Sequence, residues 1–517
     1  MDEQGRGGRR GWLDRIERLG NALPDPAFIF VALIACVMIA SAIAAQAGWS
    51  AINPSSGERI AVESLFSEKN MRRLLVDMPK TLAAFPPLGF VLVVMLGAAV
   101  AERAGLFTVL IARAVRNLPI RWLTPATYFV GLLSHQAADA AYVVLIPLAA
   151  IVYAEAGRHP LAGIAAAYAG ISGAFAANLL PGQFDVLMLG ITQAAAQLIV
   201  PAYPLNPLGN WWFTAVLGLV LVPVVWFVCD RIVEPRLARW RADGPDAGLA
   251  APVDVLTEAQ RRGLRRAGIA ALVVIAGFAA LALMPGYSPL IDDTAEGAAR
   301  LSPFYTALIA GFFLLFLACG WAFGAAAGTV RSHRDVVRMM GEGIRDLSPY
   351  VVIVFFAAHF VALFGWSNLG PVMAIEGAEQ LRAIALPVPL LLVMLLLMSS
   401  VFDLLIGSAS AKWSVMAPIA VPLLMLLGVS PEMTTAAYRM GDSIFNIVTP
   451  VASNFVLVLV MCQRWVKGFG VGSLIAMMLP FSIAIGLTGL ILVTGWTALS
   501  LPVGPGAPAT YAMPVAR

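Results

Sequence analysis

Long apolar stretches recur along the whole chain, and they constrain its fold more than any other feature. Hydrophobic residues occupy 60% of the 517 positions and charged residues only 12%, which gives a mean hydropathy of +0.83. A soluble protein of this length would carry far more charge on its surface. A membrane-spanning helix needs about 20 apolar residues, and the candidate stretches are residues 28–47, 88–101, 123–133, 140–154, 161–180, 211–228, 267–284, 304–323, 350–364, 386–402, 415–427, 433–448, 451–461 and 474–494.

Several of these stretches are shorter than a full span and are interrupted by Gly or Pro. Short interrupted segments are typical of hairpins that enter the membrane and turn back. The sequence therefore predicts an all-α integral membrane protein with re-entrant helical hairpins.

Arginines mark two segments that we expect to be cytoplasmic, because basic loops stay on that side of the membrane. We predict a cytoplasmic amino-terminal segment (1–27), a first membrane half (28–229), a basic cytoplasmic linker (230–266) with eight arginines, a second membrane half (267–500) and a carboxy-terminal tail (501–517). The net charge of +4 comes from these loops and indicates no nucleic-acid partner. We expect a multi-pass protein of a bacterial inner membrane.

No pattern in the chain favours an enzyme or a bound cofactor. The sequence lacks a Gly-x-Ser-x-Gly elbow, a His-Glu-x-x-His pair, a phosphate-binding loop with Lys and a cysteine–histidine cluster. It also lacks a nucleotide-binding domain, so transport would depend on an ion gradient. Two alternatives to an ion-driven transporter stay open, which are a membrane-embedded hydrolase and a passive channel.

An internal repeat appears when the chain is shifted by 271 positions, which aligns residues 139–172 with 410–443 without a gap. Ten positions are identical, and several are residues that fix backbone shape. Repeats separated by a basic loop are typical of transporters built from two halves, which we expect to be inverted. The matching pairs are Pro147 with Pro418, Gly157 with Gly428, Pro160 with Pro431, Gly170 with Gly441 and Ser172 with Ser443.

Ionisable residues occur inside the apolar regions. A charge there costs about 2.5–3.5 kcal/mol on insertion scales, so each is a candidate for function. The candidates are His135, Asp139, Asp185, His359, Asp403, Lys412, Arg439 and Asp442.

Three of these groups belong to the second copy of the repeat. Arg439 and Asp442 are three positions apart on one helical face and can pair, so a structural ion pair is an alternative to a transport role. Lys412 lies in a polar turn at residues 407–413 and could extend to the lipid headgroups.

The histidines have simpler interpretations. His135 and Asp139 are one turn apart, and a structural hydrogen bond, a role in transport and the hydrolase chemistry mentioned above all stay open. His359, within a Phe-rich run, is predicted to be a packing residue. If it faces the transport pathway instead, it would affect the pH dependence of flux.

Carboxylates in an apolar setting can take up protons reversibly, and their oxygens are also suitable ligands for sodium. We therefore predict that Asp185 and Asp442 couple solute movement to an ion gradient, together with Asp403 and with Asn178, which we expect at a hairpin tip. A candidate sodium site comprises Asn178, Asp403 and Asp442. Proton and sodium both stay open as the coupling ion.

The motifs of the second half resemble those of the AbgT family, the p-aminobenzoyl-glutamate transporters. The resemblance begins with the run Ile-Gly-Ser-Ala-Ser-Ala-Lys-Trp at 406–413 and continues through 430–432, 436–443 and 449–450. Further matching motifs at 85–89, 157–164, 172–178, 233–237, 367–370 and 501–506 extend it over nearly the whole chain.

This resemblance implies a homodimer whose protomers each have a scaffold domain and a transport domain with two hairpins. It also implies transport of p-aminobenzoyl-glutamate and related folate-pathway compounds, with export of sulfonamides. A sodium-coupled dicarboxylate carrier is the alternative. The functional positions implied by the family are Asp185, Ser410, Trp413, Pro431, Arg439, Asp442 and Pro450.

A solute with an aromatic ring and carboxylates needs a stacking surface and a planar cation. We predict that Trp413 stacks on the ring, that Arg439 binds a carboxylate, and that Ser408 or Ser410 donates a hydrogen bond. Three positions depart from the resemblance, because Asp403 stands in place of Asn, His359 in place of Gln and Ala194 in place of Glu. These departures bear on ion coupling.

Overall fold

The computed structural model describes residues 26–52, 57–115, 119–137, 140–204, 206–237, 240–246, 256–284, 287–295, 300–404 and 406–513. These residues are mostly helical, as the sequence predicts. A small antiparallel sheet joins strand β1 (Ser50–Ile52) to strand β2 (Arg59–Ala61), with Ala51 opposite Ile60.

The described helices follow one another with short connections in each half of the chain. In the first half they are α1 (Pro26–Gln46), α2 (Glu68–Val76), α3 (Met78–Ala83), α4 (Pro86–Arg103), α5 (Leu106–Val115), α6 (Leu123–Leu133), α7 (Ala140–Glu155), α8 (Pro160–Tyr168), α9 (Gln183–Ala196), α10 (Trp211–Phe227) and α11 (Glu234–Leu237). In the second half they are α12 (Glu258–Leu283), α13 (Ser302–Ala327), α14 (His333–Asp346), α15 (Ser348–Trp366), α16 (Leu369–Ile384), α17 (Val388–Asp403), α18 (Ala409–Leu426), α19 (Pro431–Phe445), α20 (Ser453–Trp465) and α21 (Val471–Ala498).

Eight helical segments of the described chain are long and apolar enough to cross a membrane. The segment that begins at Trp211 includes α10, a π-helical stretch (Val228–Val233) and α11, so it extends to Leu237. Helical backbone therefore enters both ends of the predicted 230–266 linker. The eight segments are Ala27–Gln46, Pro86–Arg103, Trp211–Leu237, Glu258–Leu283, Ser302–Ala327, Ser348–Trp366, Ala409–Leu426 and Val471–Ala498.

Two helical hairpins lie in the regions where the sequence predicts them. Helix α6 ends at Leu133 and α7 begins at Ala140, and α17 ends at Asp403 and α18 begins at Ala409. Helix α6 has only 11 residues, fewer than a span requires. Helix α18 begins at Ala409, so Lys412 is helical, and the prediction of an unwound 407–413 turn is wrong for its second part.

The two corners of the repeat have the same local geometry. Gly157 and Gly428 both have left-handed backbone, with φ of +71° and +90°, which glycine adopts without a Cβ clash. Each corner is followed by an N-capping side chain and a proline in the first helical turn. The His159 side chain accepts a hydrogen bond from a backbone amide in the first turn of α8, and the Ser430 side chain does the same for α19.

A second pair of repeat glycines allows helices to approach closely. A Cβ on Gly170, in the π-helical continuation of α8 (Ala169–Gly173), would lie 2.5 Å from the carbonyl oxygen of Tyr128 in α6. A Cβ on Gly441 would lie 2.1 Å from the carbonyl oxygen of Leu396 in α17. Both distances are far below a normal contact, so these glycines set the spacing between the hairpins and the helices behind them. Inversion of the two halves stays a prediction.

Helix α19 lies at the centre of the protein. Every residue from Pro431 to Ile444 is buried, although the helix contains Glu432, Arg439 and Asp442. Buried polar groups need partners, and α19 finds them on several neighbouring elements. The hydroxyl of Tyr203, for example, donates to the Glu432 carboxylate at 2.9 Å.

Candidate functional site

Two interrupted helices meet in the middle of the protein. The first runs through α8, a break at 174–182 and α9, and the second runs through α19, a break at 446–452 and α20. The amide N–H of Ala176 donates to the Ser443 hydroxyl at 2.6 Å, and the Tyr168 hydroxyl donates to the Asn446 carbonyl at 3.4 Å. Each break therefore bonds to the helix that leads into the other break, which brings together elements from both halves.

Asp185 occupies the first turn of α9, and both of its carboxylate oxygens have partners. Its Oδ2 accepts from the Gly182 amide at 2.9 Å and from the Asn178 side-chain amide at 2.6 Å. Its Oδ1 lies 2.8 Å from Nη1 of Arg439 on α19. The carboxylate therefore fixes the first break and also holds the guanidinium of the second half.

Arg439 has donors left over after this pairing. The residue is only 2% exposed, yet its Nε and Nη2 have no hydrogen-bond partner within the described chain. Unmade hydrogen bonds on a buried cation are costly. The Phe184 ring lies 5.1 Å from the guanidinium carbon, a favourable cation–π distance. A carboxylate that entered this region would satisfy two donors in the planar geometry that arginine offers.

A cavity of about 350 Å³ opens beside this guanidinium. Its size falls in the range of about 300–1,000 Å³ common for small-molecule sites. The walls come from α4, the first hairpin, the first break and α9, with contributions from α15, α19 and the start of α20. The lining residues are Val91, Met95, His135, Tyr142, Ile171, Phe175, Asn178, Gln183, Phe184, Leu187, Leu347, Tyr350, Arg439 and Asn454.

The cavity wall combines aromatic rings with polar side chains. The rings of Phe175 and Phe184 are 4.3 Å apart between centroids and are tilted by 53°. His135 donates from Nε2 to the Ile171 carbonyl at 2.9 Å, and Gln183 has a buried Oε1 without a partner in the described chain. The cavity can therefore accommodate a molecule with a flat apolar part and an anionic part.

A second charged cluster lies behind the first, around Lys412. Its ammonium bonds the Asp403 carboxylate and lies 2.5 Å from Oδ1 of Asp442, and all three side chains are at most 3% exposed. One cation faces two carboxylates, so the cluster carries one net negative charge when all three are ionised. Asp403 Oδ2 has no hydrogen-bond partner among the described residues.

These contacts correct two predictions. Lys412 is fully buried, so its predicted extension to the headgroups is wrong. The predicted pair of Arg439 with Asp442 is also wrong, because Arg439 points to Asp185 and Asp442 points to Lys412. A spacing of three residues on a helix makes a contact possible. Here each side chain pairs instead with a buried partner, on α9 for Arg439 and on α18 for Asp442.

Trp413 and the serines of α18 lie outside the cavity wall in this conformation. Trp413 is fully buried, stacks on Tyr438 and donates from Nε1 to Thr192 at 2.9 Å. Ser408 caps α18 and lies 3.4 Å from the Ser410 hydroxyl.

The two predicted prolines flank α19. Pro431 is its first residue and is buried, and Pro450 lies in the second break. Their predicted roles in binding solute stay predictions.

Comparison with known proteins identifies the chain. Residues 11–511 match a family model described as the "AbgT putative transporter family". The chain belongs to the AbgT family. It is 34% identical over 496 residues to the p-aminobenzoyl-glutamate transport protein of Escherichia coli strain K12, covering 96% of each chain.

Two solved structures share the fold of this AbgT protein. The YdaH transporter of Alcanivorax borkumensis has a TM-score of 0.87 and 38% identity, over 93% of this chain and all of that one. MtrF of Neisseria gonorrhoeae, described with a class of antimetabolite efflux pumps, has a TM-score of 0.87 and 38% identity, over 96% of this chain and all of its own. The protein is thus a multi-pass AbgT transporter, not an enzyme, and its predicted all-α membrane fold is confirmed.

The predicted coupling residues of this AbgT transporter divide between the two clusters. Asn178 lies in the first break, not at a hairpin tip as expected, and its amide holds Asp185. Asp403 and Asp442 lie on the Lys412 ammonium. The proposed sodium ligands therefore do not form one group in this conformation. Asp139 lies outside the described residues.

Sequence reasoning missed most of the aromatic wall of the AbgT cavity. Phe175 and Phe184 flank Asn178 in a segment otherwise rich in Ala and Gly, and that local pattern was the available signal. Tyr350 and Asn454 carry no such signal, because only tertiary packing brings α15 and the start of α20 to the site.

His359 of this AbgT protein lies in a separate apolar cluster. Its Nδ1 donates to the Phe355 carbonyl one turn earlier at 2.6 Å, and the two rings are 4.5 Å apart. The neighbouring Phe360 packs edge-on against Phe30 of α1. This environment matches the packing interpretation.

Proposed function

We propose that this AbgT protein is an ion-gradient-driven secondary transporter of p-aminobenzoyl-glutamate and related folate-pathway compounds, including sulfonamides. The observation that carries the proposal is the pair of Arg439 donors that have no partner among the described residues, buried beside an aromatic cavity of about 350 Å³. The name of the Escherichia coli relative and the description of MtrF support the solute class.

The chemistry of the cavity suits this solute. Arg439 would bind one carboxylate with Nε and Nη2 while Nη1 stays on Asp185, so the guanidinium serves both anions at once. The rings of Phe175 and Phe184 would contact the aminobenzoyl group. The side-chain Oε1 of Gln183, which has no partner in the part of the chain that the structure describes, would accept from an N–H of the solute.

Ion coupling belongs to the Lys412 cluster in this proposal. Two carboxylates around one ammonium leave one negative charge in a fully buried place, and such a charge favours uptake of a cation. Proton binding to Asp403 or Asp442, or sodium binding beside Asp403 Oδ2, would neutralise it. Arg439 and Asp442 share helix α19, which links the solute cavity to the coupling cluster.

We also propose that the transporter works as a homodimer in the bacterial inner membrane, with its amino terminus in the cytoplasm. The arginine-rich linker and amino-terminal segment support this orientation. Cross-linking of single-cysteine variants in native membranes, with accessibility labelling from each side, tests both statements.

Flux of labelled p-aminobenzoyl-glutamate in proteoliposomes tests the main proposal. Proton and sodium gradients are imposed separately, and unlabelled p-aminobenzoyl-glutamate, a sulfonamide and succinate compete. We expect saturable flux driven by one of the two gradients and inhibited by the first two competitors. Inhibition by succinate alone would indicate a dicarboxylate carrier, and unsaturable flux that ignores both gradients would indicate a channel.

A further inference from the structure

A second cavity, of about 160 Å³, lies between the end of α11 and the first turns of α21. It shares no lining residue with the candidate solute site. Its walls are largely apolar, with Leu237 and Trp240 from the first half and Phe469 and Met477 from the second. Trp240 packs edge-on against Phe469, with ring centroids 5.6 Å apart.

A proline within α21 helps to form this space. Pro480 lies inside the helix and lines the cavity together with Ala476, one turn earlier. Proline has no N–H, so the Ala476 carbonyl loses its helical donor, and the ring pushes that turn aside. The cavity lies beside this turn, against Ala476 and Pro480.

The polar end of the cavity carries an unpaired cation. Arg236 lines the cavity and is exposed, and within the described part of the chain it forms no ion pair. Arg464, in contrast, pairs with Asp246 at 2.7 Å. The Ser473 hydroxyl adds a possible donor on the opposite wall. An apolar cavity with a free guanidinium at one end matches the two parts of an anionic lipid.

The position along the chain indicates the side of the membrane. Arg236 lies at the end of the long apolar segment that runs to Leu237 and stands in the basic linker, and α21 begins just after Arg464 and Lys467. Basic residues at span ends favour the cytoplasmic face, where anionic headgroups attract them.

We propose that this cavity binds an anionic phospholipid of the cytoplasmic leaflet, with its phosphate on Arg236 and part of one acyl chain against Trp240, Phe469 and Met477. The bound lipid would join the first half of the chain to the second. Because the site shares no residue with the solute cavity, the inference does not depend on the proposed function.

Native mass spectrometry tests the site. The full-length protein is released from nanodiscs that contain equal amounts of phosphatidylglycerol and phosphatidylcholine. We expect the wild type to keep one phosphatidylglycerol. Arg236→Gln, a change at an exposed position, should lower that retention about tenfold, because a charge-assisted bond is lost. Ala476→Phe, which fills the acyl space from an exposed position, should also lower it.

Arg113→Gln is the matched control, because Arg113 is an exposed arginine of α5 outside the cavity, and it should retain lipid like the wild type. Equal retention by Arg236→Gln and wild type would overturn the proposal. Equal retention of phosphatidylglycerol and phosphatidylcholine would also overturn it. So would a wild-type protein released without lipid, which would indicate that a segment of the chain itself fills the cavity.

Discussion

Trp413 lies against Tyr438 with ring centroids 4.2 Å apart and ring planes inclined by only 23°. One face of the indole is therefore covered, and its N–H is engaged by Thr192. Because Trp413 is also fully buried, a solute can stack on it only in a conformation where the side chains around the indole have rearranged. In the conformation described here, the aromatic rings that line the cavity belong to Tyr142, Phe175, Phe184 and Tyr350 instead.

Trp413→Ala should destabilise the protein by about 3–5 kcal/mol, because it removes a large buried side chain and the stacked pair. Trp413→Phe should cost less and should bind solute more strongly than the alanine variant. Thermal unfolding in detergent and calorimetric titration with p-aminobenzoyl-glutamate measure the two effects. An alanine variant with unchanged stability and lost binding would mean that the indole itself contacts solute.

Arg439→Lys should weaken binding of p-aminobenzoyl-glutamate by about tenfold or more. The lysine keeps a charge for Asp185 but has no planar fork for a second carboxylate. Its effect on folding should be smaller than its effect on affinity. Arg464→Lys is the control, because Arg464 is exposed and lies far from the cavity lining. Equal calorimetric affinities for all three proteins would place the solute site elsewhere.

Asp442→Asn should abolish gradient-driven flux while the protein stays folded, because Asp403 remains to pair with Lys412. Asp403→Asn should leave a single neutral pair of Lys412 with Asp442 and should alter which gradient drives flux or its pH dependence. Lys412→Met, in contrast, leaves two buried carboxylates and should cost about 3–5 kcal/mol of stability. Normal driven flux in the Asp442 variant would refute coupling at this cluster.

Gly441→Ala should destabilise the protein by about 1–3 kcal/mol, since its Cβ would overlap the Leu396 carbonyl. Gly268→Ala is the matched control, because a Cβ there meets no atom within 4 Å. In the interior of α12 that change should be neutral or stabilising by up to about 1 kcal/mol. The midpoints of thermal unfolding of the two variants are compared. Equal midpoints would show that α17 and α19 tolerate wider spacing.

His359→Gln should leave the pH profile of flux unchanged. The imidazole donates within its own helix and packs among phenylalanines, and His359 does not line the solute cavity. Flux measured between about pH 5 and 8, the range where histidine changes charge, provides the check. A shifted profile would indicate that His359 faces the transport pathway.

The sequence was most informative where a local pattern determines local shape. The glycine and proline pairs of the repeat predicted both corners, and apolar runs predicted the long spans. The sequence did not predict the ion-pair partner of Arg439. Asp185 is 254 positions away, and helix geometry alone favoured Asp442. Lys412 was misread for a related reason, since burial between two carboxylates depends on how α17 and α19 pack. The cavity wall from α15 depends on packing in the same way.

The bonds of α19 have a mechanical consequence. Thr435 reaches the Thr192 hydroxyl of α9, Arg439 holds the start of α9, and Asp442 holds α18. The carbonyl of Gly441 also accepts from Ser400 of α17. A helix fastened to three neighbours over two turns cannot slide past any one of them without breaking several buried bonds. These four helices would therefore have to travel as one rigid body during a transport cycle, and the amides of α19 should be among the slowest in the protein to exchange with deuterium.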